Sequence, residues 1–429
     1  MRSKTTIMTT WLLALLLLPP VIERVSEAYP QARATDPIRT LVARLDLEKY
    51  KTTMKGLAQF GDRRQGTERN RKAVDWIEAQ LKSYGCTNTE RIRYEVPPPA
   101  TQANTAPATA AAAPGGQRGQ AARGVGGVGR QAKAIESGEV ISSQGGSRQY
   151  GVSAATGVNN DANRQPDARL RQLNTEQSSP GPRDEVYCTK IGTTHPEEMY
   201  IVAAHMDGIG WGEAVNDDAS GTALVMELAR IFSMPDVKTD RSIRFALWNS
   251  EEGGLNGARA YVEQRVELQG KEMPPGSGRY PEPRWLAMVQ HDMMLWDHGM
   301  PRPDGTWNSD QRPEADVNIE FQSTAKLADQ AMKLAFFFRE SNEKYATDYP
   351  AAVGPHMTNT DSTPFMDLVP AISLRENERG MHTGAGWNPT WHQPIDIFAT
   401  FSDKDFRLGL NAAQTTLSAV GQLAGAKLR

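Results

Sequence analysis

The chain reads as an α/β protein with a mixed, mostly parallel central sheet and helices on both faces. Three observations predict this. From Glu185 to the C-terminus, apolar strand-length runs alternate with helix-length runs. Strands alternating with helices build a parallel sheet that the helices cover on both sides. A helical N-terminal portion precedes this region, and the intervening residues 97–183 have a composition that cannot form a core.

Residues 1–28 read as an export signal. Arg2 and Lys4 give a positive start, residues 11–18 an apolar core, and Ser26-Glu27-Ala28 the small residues around a cut after Ala28. The apolar run 11–22 has 12 residues and contains Pro19 and Pro20. A membrane span needs roughly 20 residues, so no stable span is expected, and the location is secreted or periplasmic. The globular domain then opens with residues 29–96. Residues 37–55 and 70–84 carry helical spacing, the second through Ala73, Trp76, Ile77 and Leu81, with Gly85 as its stop. Residues 89–96 read as a strand.

Residues 97–183 are rich in Pro, Ala, Gly, Gln, Ser and Asn, with nine Lys/Arg against five Asp/Glu. Such a stretch buries too little apolar surface to offset its ordering entropy, and it reads as a disordered insertion. Residues 184–429 form the main part of the domain. Strands are expected at 199–204, 242–248, 284–289 and 369–374, and helices at 220–232, 255–262, 326–342 and 403–423. The net charge of −3 lacks the basic excess of a nucleic-acid binder. Cys86 and Cys188 are compatible with one disulfide or with two buried thiols, and their spacing does not suggest a metal site.

Ligands of open α/β sheets sit beyond the carboxyl ends of the strands. His205 and Asp207 follow the strand 199–204, Glu251 and Glu252 follow the strand 242–248, and His291 and Asp292 follow the strand 284–289. One such residue alone reads as a satisfied core polar group. Three coincidences, with Asp217 and Asp218 in a glycine-containing loop, read as a metal centre. Imidazole and carboxylate donors suit zinc, and a pair of ions needs a bridging carboxylate. His291 adjoins Asp292, but successive strand residues face opposite sides, which gives it a structural role.

Five segments follow one order: His205-Met206-Asp207-Gly208, Asn216-Asp217-Asp218-Ala219-Ser220-Gly221, Asn249-Ser250-Glu251-Glu252-Gly253, His291-Asp292-Met293, and Trp391-His392-Gln393-Pro394-Ile395-Asp396. This order resembles the secreted zinc aminopeptidases, the family that also holds glutamate carboxypeptidases and glutaminyl cyclases. The resemblance covers residues 41–96 and 185–429, and nothing in it corresponds to 97–183. It implies two zinc ions and peptide substrates. His205 and Asp292 would bind one ion, Glu252 and His392 the other, and Asp217 would bridge them, with the peptide Asp217–Asp218 often cis. Glu251 would be the general base, Asp207 would orient His205, and Asp396 would support His392, with Asp218 beside the ligands.

The chain also departs from the family. Relatives often carry Tyr before the last histidine, where this chain has Trp391, and Tyr345 and Tyr349 are the candidates to replace that phenol. Relatives often show Ser-Asp-His before Pro-Phe, where this chain has Asp361-Ser362-Thr363-Pro364-Phe365, and Asp361 reads as a turn or cap residue. Trp387, Trp391 and Arg375 are weaker candidates for substrate contact, and an ion pair with a nearby Glu is the competing role for Arg375. The intact ligands and the Glu251-Glu252 pair favour hydrolysis over cyclisation, and over a non-catalytic binding protein. Aminopeptidase over carboxypeptidase rests on family frequency alone.

Overall fold

A computed structural model describes residues 36–96, 158–298, 310–355, 360–376 and 388–429. The expected export signal at 1–28, residues 97–157 of the low-complexity stretch, and Trp387 lie outside the described residues. The chain opens with α1 (Pro37–Val42), α2 (Leu47–Ala58) and α3 (Glu68–Ser83). One helix over 37–55 was expected and two are present. Asp46 accepts the Lys49 N–H at 2.9 Å and so starts a new helix.

β1 (Thr89–Val96) pairs antiparallel with β2 (Gly181–Lys190), with Val96 opposite Gly181. The long stretch between them is therefore a hairpin connection whose ends lie side by side. Loop-closure cost rises only by about 0.6 kcal/mol per doubling of length, so such a connection is tolerated. The described part of that connection corrects the expectation of disorder over 97–183. It contains α4 (Ala168–Asn174), capped by Asp167, with Leu170 and Asn174 buried. Its polar composition misled because its buried polar groups are hydrogen-bonded, not solvated.

β3 (His195–His205), α5 (Ser220–Phe232), β4 (Val237–Lys238), β5 (Arg241–Trp248), α6 (Asn256–Arg265) and β6 (Arg284–His291) follow. Then come β7 (Val317–Phe321), α7 (Ala328–Tyr345), β8 (Ala351–Gly354), β9 (Ala371–Arg375), α8 (Asp403–Leu423) and β10 (Lys427–Leu428). The eight-stranded sheet runs β1-β2-β5-β3-β6-β9-β7-β8. Its centre, β5-β3-β6-β9, is parallel. β7 and β8 escaped the sequence reading.

Both faces are buried, which explains the near-continuous apolar runs. Along β3, Val202 and Ala204 pack into one core with α2, α5 and α8, while Met199, Ile201 and Ala203 pack into the other. That second core is aromatic, with Tyr187, Trp248, Tyr261, Trp285 and Phe365 together. The Trp248 and Tyr261 ring centroids are 5.0 Å apart. No helix among the described residues is long and apolar enough to cross a membrane.

Cys86 and Cys188 form a disulfide with Cα atoms 6.1 Å apart and a sequence separation of 102. It ties the end of α3 to β2 and spans the whole hairpin connection. Cross-linking so distant a pair restricts the unfolded chain strongly. Cys86→Ala/Cys188→Ala is expected to lose about 2–4 kcal/mol of unfolding free energy, measured by denaturant titration. An unchanged midpoint would mean that the bond contributes nothing.

Candidate metal centre

The parallel register places three strand ends level. His205 stands opposite Trp248 on β5, and Ala204 opposite His291 on β6. The loops leaving these ends carry Asp207 to Asp218, Glu251 and Glu252, and Asp292. His392 arrives from a turn near the C-terminus with φ +55°, a left-handed conformation that costs a non-glycine residue about 1–2 kcal/mol. Gly210 explains how that turn fits. A Cβ there would stand 2.3 Å from the His392 carbonyl carbon, and its φ is +104°.

Two groups of buried donors result. His205, Asp217 and Asp292 form one, and Asp217, Glu252 and His392 the other, each with candidate ligand atoms within 4.8 Å of one another. His205 Nε2 lies 3.2 Å from Asp217 Oδ1 and 3.9 Å from Asp292 Oδ1. His392 Nε2 lies 3.0 Å from Asp217 Oδ2 and 3.0 Å from Glu252 Oε2. Asp217 thus turns one oxygen to each histidine, as a bridging carboxylate must. Three carboxylates and two imidazoles this deeply buried call for compensating charge. Glu252 Oε1 has no hydrogen-bond partner among the described residues. The donor set and this bare oxygen fit zinc.

The surroundings fix these groups. His205 Nδ1 lies 3.0 Å from the Asp207 carbonyl oxygen, which can only accept. Nδ1 therefore carries a proton, which leaves Nε2, the nitrogen that faces the carboxylates, as the one to bind an ion. The Asp207 carboxylate, expected to orient the imidazole, stands 3.8 Å from His205 Nδ1, beyond hydrogen-bond reach. The main-chain carbonyl orients the imidazole, while Asp207 Oδ1 accepts the Glu251 N–H at 3.1 Å and holds the Glu251 loop. Asp218 accepts from the His205, Gly221 and Met293 N–H groups at 3.2, 2.9 and 3.2 Å. The peptide Asp217–Asp218 is cis.

Asp396 was expected to support His392 and does not. Its carboxylate accepts the N–H groups of Val215, Asn216 and Asp217 at 3.1, 2.8 and 3.1 Å. It therefore fixes the backbone that aims Asp217, and His392 Nδ1 has no hydrogen-bond partner among the described residues.

Arg375 takes the competing role, an ion pair with a nearby Glu, and not substrate contact. It is fully buried, with Nη2 3.0 Å from Asp292 Oδ2 and Nε 3.5 Å from Glu320 Oε2. It braces Asp292 and is not open to substrate. Trp391 is half-buried with its ring 4.3 Å from that of His392, at the rim of the centre. The Tyr345 hydroxyl donates to Asp36, and the Tyr349 hydroxyl bonds Gln311 and the Lys404 carbonyl. Neither tyrosine belongs to the centre. His291 has the structural role expected, between the Ala203 carbonyl and the Thr416 hydroxyl.

Three residues carry a weight that the sequence did not show. Arg63 is buried and donates to the carbonyls of Met206, Glu213 and Ala214 at 2.8, 2.7 and 2.8 Å, which fixes the loop between His205 and Asp217. Glu376 accepts from Asn216 Nδ2 at 2.7 Å and from the Leu295 N–H at 3.1 Å, and also bonds Asn388. Asp361 stands in a turn as expected, but it is fully buried, and its carboxylate has no hydrogen-bond partner among the described residues. Burial pushes its pKa up, and the charges of Asp207 and Asp292 push it further, against the pull of His205.

Glu251 is half-buried at the centre. Burial raises its pKa well above the usual range. The His205 charge opposes that rise, while those of Glu252, Asp361 and Asp292 reinforce it. Burial opposes charge on His392, yet the Glu252 charge and hydrogen bonds to Asp217 and Glu252 prevail and raise it to about 10. Burial likewise opposes charge on Asp217, and the hydrogen bonds from the two histidines outweigh it, so its pKa falls well below normal. At pH 7 the metal-free chain therefore holds a proton on His392 that an ion must displace. Apparent zinc affinity is expected to rise about tenfold per pH unit for each proton released between pH 6 and 8. Calorimetry in buffers of different ionisation enthalpy measures that release. A pH-independent affinity would contradict it.

A family model described as Peptidase family M28 matches residues 186–414. The chain is 38% identical over 75 residues to Aminopeptidase YwaD of Bacillus subtilis, covering 18% of this chain and 16% of that protein. It is 32% identical over 73 residues to Carboxypeptidase Q of Xenopus laevis, covering 17% of this chain and 16% of that protein. These matches thus span about a sixth of each relative's length. The fold is similar to that of a zinc aminopeptidase from Bacillus subtilis, with a TM-score of 0.55 and 16% identity over 88% of this chain and 95% of that one.

Proposed function

The chain belongs to peptidase family M28, and on that premise we propose that it is an exported di-zinc exopeptidase that removes residues from the free amino ends of peptides. The observation that carries this reading is the division of the Asp217 oxygens between His205 and His392. Zinc held by His205, Asp217 and Asp292, and by Asp217, Glu252 and His392, would polarise the scissile carbonyl and acidify the attacking water.

The remaining work belongs to the chain's own residues. Glu251 accepts a proton as the water oxygen attacks the carbonyl carbon, and returns it to the nitrogen as the C–N bond breaks. The Asp207 carboxylate keeps Glu251 in place through its main-chain N–H. Glu252 stays an anion as a ligand, which leaves the unligated Glu251 to move the proton. Trp391 lines the approach to the centre. The Cys86–Cys188 bond supports export, because disulfides persist in oxidising compartments.

The similarity to a carboxypeptidase raises a second reading, release from the carboxyl end. The arginine that the sequence offered for a terminal carboxylate is committed to Asp292, which favours the amino end. Hydrolysis of aminoacyl-4-nitroanilides, free and N-acetylated, tests the proposal. Cleavage confined to the free-amine set is expected. Equal cleavage of both sets, or release of C-terminal residues from peptides, would contradict it.

A further inference from the structure

The described part of the β1–β2 connection lies against the metal centre. The Asn159 N–H donates to the His392 carbonyl at 3.0 Å. Gly210 packs against that carbonyl too, so the strap and Gly210 both bear on the left-handed His392 peptide. Gln165 is buried, and its Nε2 donates to the Trp211 carbonyl at 2.7 Å and to the Pro394 carbonyl at 2.9 Å. One side-chain amide therefore joins the segment leading to Asp217 with the segment carrying His392. Asn174, at the end of α4, donates to the Gly212 carbonyl at 2.9 Å and accepts the Asp62 N–H at 3.2 Å.

We propose that residues 158–174 are a positioning strap for one of the two metal sites, the one formed by Asp217, Glu252 and His392, with Gln165 and the Asn159 main chain as its working contacts. The inference rests on the di-zinc reading above. The strap touches the His392 side of the centre and makes no hydrogen bond to His205 or Asp292 among the described residues. Its loss therefore acts mainly through His392, which only one ligand group contains, while Asp217, shared by both, stays pinned by Asp396. Amides aimed at backbone carbonyls hold a ligand's peptide without competing for the metal, which suits a positioning role.

The test is zinc titration of the metal-free full chain against a competing chelator, with His392→Ala identifying the step that belongs to this site. Gln165→Met keeps the length of the side chain and removes its N–H groups. Asn159→Pro removes the main-chain donor, whereas Asn159→Ala retains it. In Gln165→Met and Asn159→Pro, the His392-dependent step is expected to weaken about 10–100-fold, the range seen when groups supporting a metal ligand are removed. The other step should stay at the wild-type value, and Asn159→Ala, which keeps the main-chain donor and loses the 3.4 Å bond from Nδ2 to the Gly210 carbonyl, should weaken the His392-dependent step less than Asn159→Pro. Wild-type binding of both ions by Gln165→Met overturns the strap. Equal weakening of both steps overturns it too, because that reports general loosening. A wild-type chain that binds no zinc overturns the proposed function itself, a result distinct from either.

Discussion

Glu251→Gln is expected to lower kcat by about 10²–10⁴-fold, the usual contribution of a positioned general base, while zinc content stays unchanged. What the side chain does and does not touch sets this effect. Glu251 belongs to neither ligand group. Its main-chain N–H is tied to Asp207 whatever the side chain, so the loop keeps its place. Gln matches Glu in volume but cannot accept and return a proton. KM should change much less than kcat, because the proton moves only as the transition state forms. Loss of zinc together with rate would show that Glu251 is a ligand. A loss of only a few-fold would assign the proton to another group.

Asp217→Asn is expected to weaken binding of one ion by at least about 100-fold, beyond the range for groups that merely support ligands, and to abolish turnover. Asp217 presents Oδ1 to His205 and Oδ2 to His392. Asn keeps one oxygen and turns an NH₂ toward the other site, where it faces a cation with donors only. Asp396, which accepts three N–H groups from residues 215–217, would pin the Asn to the same backbone and leave no room to reorient. Elemental analysis of the purified variant measures the retained metal. Two tightly bound ions would remove Asp217 from the bridging role.

What the sequence made legible was local. A β-run that ends in His, Glu or Asp marks a strand's carboxyl end, and for β3, β5 and β6 those ends face one edge of the sheet. The helix at 220–232 and the closing helix at 403–423 also showed in their spacing. Long-range pairing was not legible. Asp396 reaches back about 180 positions to residues 215–217, and one chain's residue types cannot reveal which distant backbone a carboxylate caps. Arg63 stands in a polar loop with no recognisable motif around it, yet it is buried beneath the loop between His205 and Asp217. Asp361 sits in a turn-like sequence, so its burial was invisible. Asn159, Gln165 and Asn174 were absorbed into the low-complexity stretch, because composition does not tell an amide bonded to a carbonyl from one bonded to water. β7 and β8 were lost for a related reason: at five and four residues they are too short for a period-2 pattern to stand out.

A di-zinc peptidase whose ions share one carboxylate should need both ions for turnover. Zinc should be added to metal-free protein from zero to two equivalents, with aminoacyl-4-nitroanilide hydrolysis followed at each addition. Full activity is expected only as the second equivalent binds, after which it stays level. Full activity at one equivalent, or none at two, would contradict it.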